Sequence, residues 1–277
     1  MKKKPALQLD VPGANIERQA KLFVLLYPAP EVEARKFRIY ESLLSQSQHV
    51  RDGNFRVIGT DDLERLFNWY DREFFAGRLG EMLMEDEAHP CGFRLSRRLV
   101  SAAGQTMREV RRIDRHGKPG TKVNYEITIS ATLLFNTFQD VDRQVTVGGL
   151  VCNDRVEALQ RIFEHELLHL AEFLAWGKSN CRAANFHRLS RRIFAHEGAF
   201  HDLITPREQA RSAYDIRIGD YVSFELDGAH HAGRVNRITR RATVLVEDPH
   251  GVLFDDGKRY RTYYVPVPLL RKESRAG

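Results

Sequence analysis

The sequence lacks paired cysteines. Its three, Cys91, Cys152 and Cys181, are odd in number and far apart, with no C-x-x-C among them. That spacing excludes a zinc ribbon, a dithiol redox motif and a disulfide framework. Long apolar runs are absent too. The longest, residues 22–27, falls far short of the ~18 residues that a membrane-spanning helix needs, so no membrane partner is expected. Met1-Lys2-Lys3-Lys4 carries the charge of a signal-peptide start, but residues 5–13 supply no apolar stretch and include Asp10 and Pro12. A cytoplasmic location is therefore expected. What is present is ordinary for a globular protein: 42% hydrophobic and 29% charged residues over 277 positions, which rules out wholesale disorder and leaves ample length for a core. The net charge of +6 admits a polyanionic partner such as nucleic acid without requiring one.

Two short helices are expected over residues 15–27 and 30–45, separated by Pro28-Ala29-Pro30, which a continuous helix does not tolerate. No chemistry attaches to this N-terminal extension, residues 1–57. Thr60-Asp61-Asp62 then caps an amphipathic helix whose stripe of Leu63, Leu66, Phe67, Tyr70, Phe74 and Phe75 ends near Gly77. Phe93-Arg94-Leu95, Leu99-Val100 and the alternating Tyr125-Glu126-Ile127-Thr128-Ile129-Ser130 predict one small antiparallel sheet. Between them, residues 108–122 carry Arg108, Arg111, Arg112, Arg115, Lys118 and Lys122 against Glu109 and Asp114, with Gly117, Pro119 and Gly120 as breakers: an exposed basic hairpin or loop. Residues 154–176 form a long helix with so wide an apolar stripe that burial is expected, and Gly177 ends it. A second helix covers residues 184–195. From Ile216 onward short strands at 221–226, 233–238, 243–247 and 260–265, with a turn at Asp227-Gly228, predict a small five-stranded barrel. The fold class is α+β, divided into residues 1–57, 58–210 and 211–277.

The sharpest chemical signal is His165-Glu166-Leu167-Leu168-His169 inside the long helix. Residues i and i+4 lie one above the other on a helix face, so both imidazoles can reach one Zn²⁺ while Glu166 sits beside it as general base toward water. The competing reading is a helix whose polar face happens to hold two histidines and an acid. Burying these groups among Leu167, Leu168 and Leu170 without partners would cost several kcal/mol, which favours the metal.

At these residues the chain resembles the SprT-like, or Spartan-type, zinc metalloproteases over about residues 60–205. Residues 63–79, from Leu63-Glu64-Arg65-Leu66-Phe67 to Gly77-Arg78-Leu79, resemble that family's opening helix. Residues 97–106, with Ala103-Gly104, resemble its first strands. Glu126-Ile127-Thr128-Ile129-Ser130 resembles the strand before its active-site helix, and His165-Glu166-Leu167-Leu168-His169 its zinc motif. The resemblance implies a compact zincin-like domain in which a helix hairpin carries the metal, and a substrate drawn from proteins associated with or crosslinked to DNA. Two departures stand out. The family's third ligand comes from a His-Gly pair four residues before an aromatic, where Phe186 here points back to Arg182-Ala183, and its C-terminal zinc ribbon is replaced by the β-rich segment. In that segment residues 219–224 and Gly233-Arg234-Val235 resemble small SH3-like or KOW-like modules.

The third ligand must therefore be sought among Glu172, His187, His196 and His201. In an antiparallel hairpin turning about residue 180, positions summing to about 360 lie opposite one another, which sets His165 facing residue 195. His196 is then the expected third ligand ahead of His201 and His187, while Glu172, one turn past His169, suits an outer role. Arg111, Arg112, Arg115, Arg234, Arg237 and Arg241 are candidate phosphate contacts, with solvated surface charge as the competing reading. The leading expectation is a zinc-dependent endopeptidase with Glu166 as its base. The rival is a non-catalytic nucleic-acid- or protein-binding protein in which zinc merely staples the helix hairpin.

Overall fold

Proline, glycine and short polar residues punctuate the chain, and the computed structural model, which describes residues 12–86, 90–115, 118–139, 141 and 143–273, shows what each break positions. Met1-Lys2-Lys3-Lys4 lies outside the described residues. Pro28 parts α1 (Pro12–Phe23) from α2 (Ala29–Gln46). Helix α3 (Thr60–Tyr70) runs into a π-helical turn, Asp71–Phe75, that Ala76 (φ 55°) and Gly77 (φ 79°) terminate in the left-handed region. The Asp71 carboxylate then accepts the Leu79 and Gly80 amides, both at 2.9 Å, and so caps α4 (Arg78–Glu85).

Three strands follow: β1 (Gly92–Ser96), β2 (Gly104–Arg115) and β3 (Lys118–Ser130). Their order is β1-β3-β2, with β2 and β3 antiparallel and β1 parallel to β3. The expected purely antiparallel sheet is thus a mixed one, because alternation marks a half-buried strand without fixing its direction. Leu99-Val100 lies in the connection rather than in a strand. The basic segment is the far end of the long β2–β3 ribbon, where Arg111 stands opposite Lys122. Helix α5 (Ala131–Asn136), capped by the Ser130 hydroxyl, leads to a two-residue hairpin of β4 (Val145–Val147) and β5 (Leu150–Cys152) turned by Gly148 and Gly149.

Helix α6 (Arg155–Trp176) comes next. Asp154 caps it by accepting the Glu157 amide at 2.9 Å, and Gly177 closes it at φ 66°. It is buried on nearly all sides. Helices α7 (Ala184–Phe194) and α8 (Pro206–Tyr214) follow. One core gathers Leu22, Val32, Ile39 and Leu43 of the first two helices with Leu63, Phe74, Leu159, Phe163 and Ile193, so it has no break at residue 57.

A second core, including Ala210, Ile216, Val222, Val235, Val244 and Val265, underlies the C-terminal strands. These are β6 (Tyr221–Leu226), β7 (Ala229–Ile238), β8 (Ala242–Leu253), β9 (Arg259–Val265) and β10 (Arg271–Lys272). They pair in the order β10-β6-β7-β8-β9, five strands as expected, but among the described residues the ladder does not close into a barrel. Closure would require the two edge strands to meet, and β10 offers two residues, both paired with β6.

Arg155 fastens the start of α6 to the rest of the domain. Its buried guanidinium donates to the carbonyls of Asn54, Phe55, Leu134, Phe135 and Thr137, joining the segment before α3 to the end of α5. Replacing Arg155 by Met leaves buried carbonyls without donors. Denaturant titration is expected to show a loss of about 3–5 kcal/mol, at the upper end for single substitutions.

Candidate metal centre

His165 and His169 occupy one face of α6 a turn apart, and their Nε2 atoms converge to 3.1 Å. Phe186 of α7 lies against both imidazoles, with ring centroids 4.9 and 4.8 Å away, and limits how they can swing. A relay behind His169 fixes its tautomer. Its Nδ1 lies 2.6 Å from Ser179 Oγ, which in turn donates to Glu172 Oε2 at 2.7 Å. The serine hydrogen being committed to the carboxylate, the hydroxyl accepts from Nδ1–H, and Nε2 keeps its lone pair. Glu172 also accepts the Asn180 amide and the Asn185 side chain, each at 3.2 Å. Burial lowers His165 to about 3, with repulsion from His169 and other histidines adding to it, and lowers His169 to about 4. Both are neutral near pH 7, the state in which imidazole binds metals.

Glu166, between them in sequence, is 3% exposed. The Thr106 hydroxyl of β2 donates to its Oε2 at 2.7 Å, yet burial prevails and pushes the carboxyl up to about 7. β2 comes this close because residue 104 is glycine: a Cβ there would stand 2.6 Å from Glu166 Oε1. His165, Glu166, His169, Cys181, Phe200 and His201 all line one cleft of about 380 Å³, together with residues 101–106, which lead into β2.

The structure brings a different third group to the imidazoles than the hairpin arithmetic suggests. The ligand atoms of His165, His169 and Cys181 lie within 4.8 Å of one another. His196, expected there, is instead 2% exposed with its Nε2 2.6 Å from Glu164 Oε2. The sum rule is met, since 164 and 196 add to 360, but Glu164 lies about 100° around the helix from His165. The turn after α7 holds that placement: Gly148 O accepts the Glu197 and Gly198 amides, and Gly148 fits against the His196 ring where a Cβ would not. His187 is exposed on α7, His201 stays on the cleft wall, and Glu172 accepts from the Ser179 hydroxyl behind His169. Cys181 sits five residues before Phe186, one position beyond the place where a third ligand was sought.

The candidate phosphate contacts lie elsewhere, and none lines the cleft. Arg111 and Arg112 are exposed on β2, Arg111 paired with Glu109 at 2.8 Å, and the side chain of Arg115 lies outside the described residues. Arg234 and Arg237 are exposed on β7 and Arg241 in the turn between β7 and β8, with Asp256 3.8 Å from Arg234. A second cluster, His49, Asp61 and Asp62, already has the Arg65 guanidinium 3.6 Å from both carboxylates.

No family model matches the chain, nor does any curated protein or solved structure.

The two imidazoles predict an acid limit for the metal-free protein. Their folded values of about 3 and 4 lie below the ~6.5 of an unfolded histidine. Below pH 6.5 the unfolded chain thus binds more protons than the folded one, and stability falls as the pH drops toward 4. Urea unfolding in chelator should show this decline, and a His165→Gln, His169→Gln variant should show a shallower one.

Proposed function

We propose that the protein is a zinc-dependent peptidase of the SprT-like type. The observation that carries this reading is the meeting, in one cleft, of two neutral imidazoles with convergent Nε2 atoms and a buried carboxyl held near neutrality. Two nitrogens bound to a tetrahedral zinc stand about 3.3–3.4 Å apart, so the 3.1 Å separation fits the ion with a small relaxation. His165 and His169 would hold it. Zinc, when bound, supplies a Lewis acid that polarises a peptide carbonyl and acidifies water.

The chain's own residues do the rest. Ser179 and Glu172 keep the His169 lone pair aimed into the cleft. Burial raises the Glu166 carboxyl to about 7 in the metal-free protein, and a cation bound beside it favours the carboxylate, the form that acts as base. As carboxylate it takes the proton from a water that attacks the peptide carbonyl, and as acid it returns that proton to the departing amine. Thr106 fixes the carboxyl's orientation throughout. A metal that merely stapled the hairpin would not require Glu166 in the cleft. Proteins associated with DNA are the substrate class suggested by the resemblance, with the C-terminal SH3-like segment and its exposed arginines as the selecting module. If so, DNA retention by the protein falls steeply with salt and drops on deletion of residues 216–277, as read by fluorescence anisotropy.

Glu166→Gln is expected to keep the fold and the bound metal while peptide cleavage falls by roughly 10²–10⁴-fold. Gly104→Ala, whose Cβ crowds the same carboxyl, should lower cleavage without releasing metal. Metal content by mass spectrometry and turnover of a fluorogenic peptide measure both. Equal turnover by Glu166→Gln and an active parent protein would exclude the mechanism.

A further inference from the structure

We infer that Cys181 is the third metal ligand, completing a centre of two imidazoles and one thiolate. The inference rests on reading this cleft as a metal site, but it is carried by the loop that joins α6 to α7.

That loop is held on both sides of residue 181. Gly177 turns the chain off the end of α6, and Glu172 then catches it twice, accepting from the Ser179 hydroxyl at 2.7 Å and the Asn180 amide at 3.2 Å. Asn180 holds the far side: its Oδ1 accepts the Arg182 amide at 3.0 Å and its backbone carbonyl the Ala183 amide at 2.9 Å. Cys181 is thus fixed at the crest of a clamped turn, half-buried, facing the cleft that His165 and His169 line. The carboxylate that clamps the turn is also the one that orients His169 through Ser179, so one buried side chain sets two of the three ligands. A ligand held by such outer contacts needs little reorganisation to bind.

The other donors are engaged or distant. His196 is taken by Glu164, and Cys91 and Cys152 are buried, burial pushing each thiol up to about 12. His201 lies on the cleft wall with a buried Nδ1 that has no partner, which makes it the alternative to be tested. Chemically, a thiolate changes the site. Metal binding replaces the S–H bond by an S–metal bond and releases one proton to solvent, and the anionic sulfur leaves a net charge of +1 where a third imidazole would leave +2. Soft sulfur selects zinc, cobalt or cadmium over magnesium, calcium or manganese.

The test is a titration of the metal-free full-length protein with Co²⁺. The expected result is one ion per chain, with the visible bands of tetrahedral cobalt and a thiolate-to-cobalt charge-transfer band in the near ultraviolet. Cys181→Ser should remove the charge-transfer band and weaken binding by roughly 100-fold or more, beyond the effect of outer-shell changes, while Cys152→Ala should keep the band. Bound metal should also shield Cys181 in the unaltered protein from iodoacetamide, read by peptide mass, a measurement independent of how any variant folds. Cobalt bound without a charge-transfer band, or alkylated at Cys181 while bound, would overturn the ligand assignment and leave the metal site standing. Loss of binding in His201→Ala but not in Cys181→Ser would give the position to His201. No cobalt uptake at all would overturn the metal reading together with this one.

Discussion

Helix α6 carries Glu164, His165, Glu166, His169 and Glu172 through the interior, and each of these polar groups must find a partner or forfeit its hydration at a cost of several kcal/mol. Much of the surrounding architecture answers that demand. Glu164 receives the Tyr70 hydroxyl at 2.7 Å and His196 at 2.6 Å, with Lys36 and Arg161 at 3.5 and 3.6 Å. Those partners come from α2, α3, α6 itself and the turn after α7, so one carboxylate draws four parts of the chain together. Glu172 does the same for the inter-helix loop, and Thr106 of β2 serves Glu166.

The environment separates the roles of two acids only two residues apart. Glu164 and Glu166 point to opposite sides of the helix, 200° apart. Burial would raise both, but Lys36, Arg161 and His196 hold Glu164 down at about 2, whereas only hydrogen bonds from Thr106 oppose the burial of Glu166, which rises to about 7. One is a permanent anion that ties helices together. The other can exchange a proton at neutral pH. Opposed shifts of this kind set two glutamates apart by environment alone, without any difference in residue type. The imidazoles extend the pattern: His196 is spent on Glu164, while His165 and His169 keep free nitrogens toward the cleft.

Sequence periodicity and the Gly177 stop placed α6 within one residue of its observed span, with Asp154 serving as its cap, because these are local interactions within one turn of the chain. The i, i+4 histidines and Glu166 were legible for the same reason: helix geometry fixes their relative positions wherever the helix lies. The strands of the C-terminal segment could be read from alternation, but whether their ends met could not, since pairing joins residues far apart and β10 is too short to announce itself. The mixed direction of the first sheet was hidden likewise. The third group beside the two imidazoles shows the limit most plainly. Residue sums across a hairpin gave the right level for His196 but not the side of the helix it would meet, and Gly148 and Glu164 decided that. Cys181 stood in the sequence as an isolated thiol in a loop. Its placement beside the imidazoles depends on Glu172, Ser179 and Asn180 folding that loop back onto α6, contacts that exist only once the helix is formed and its neighbours are packed.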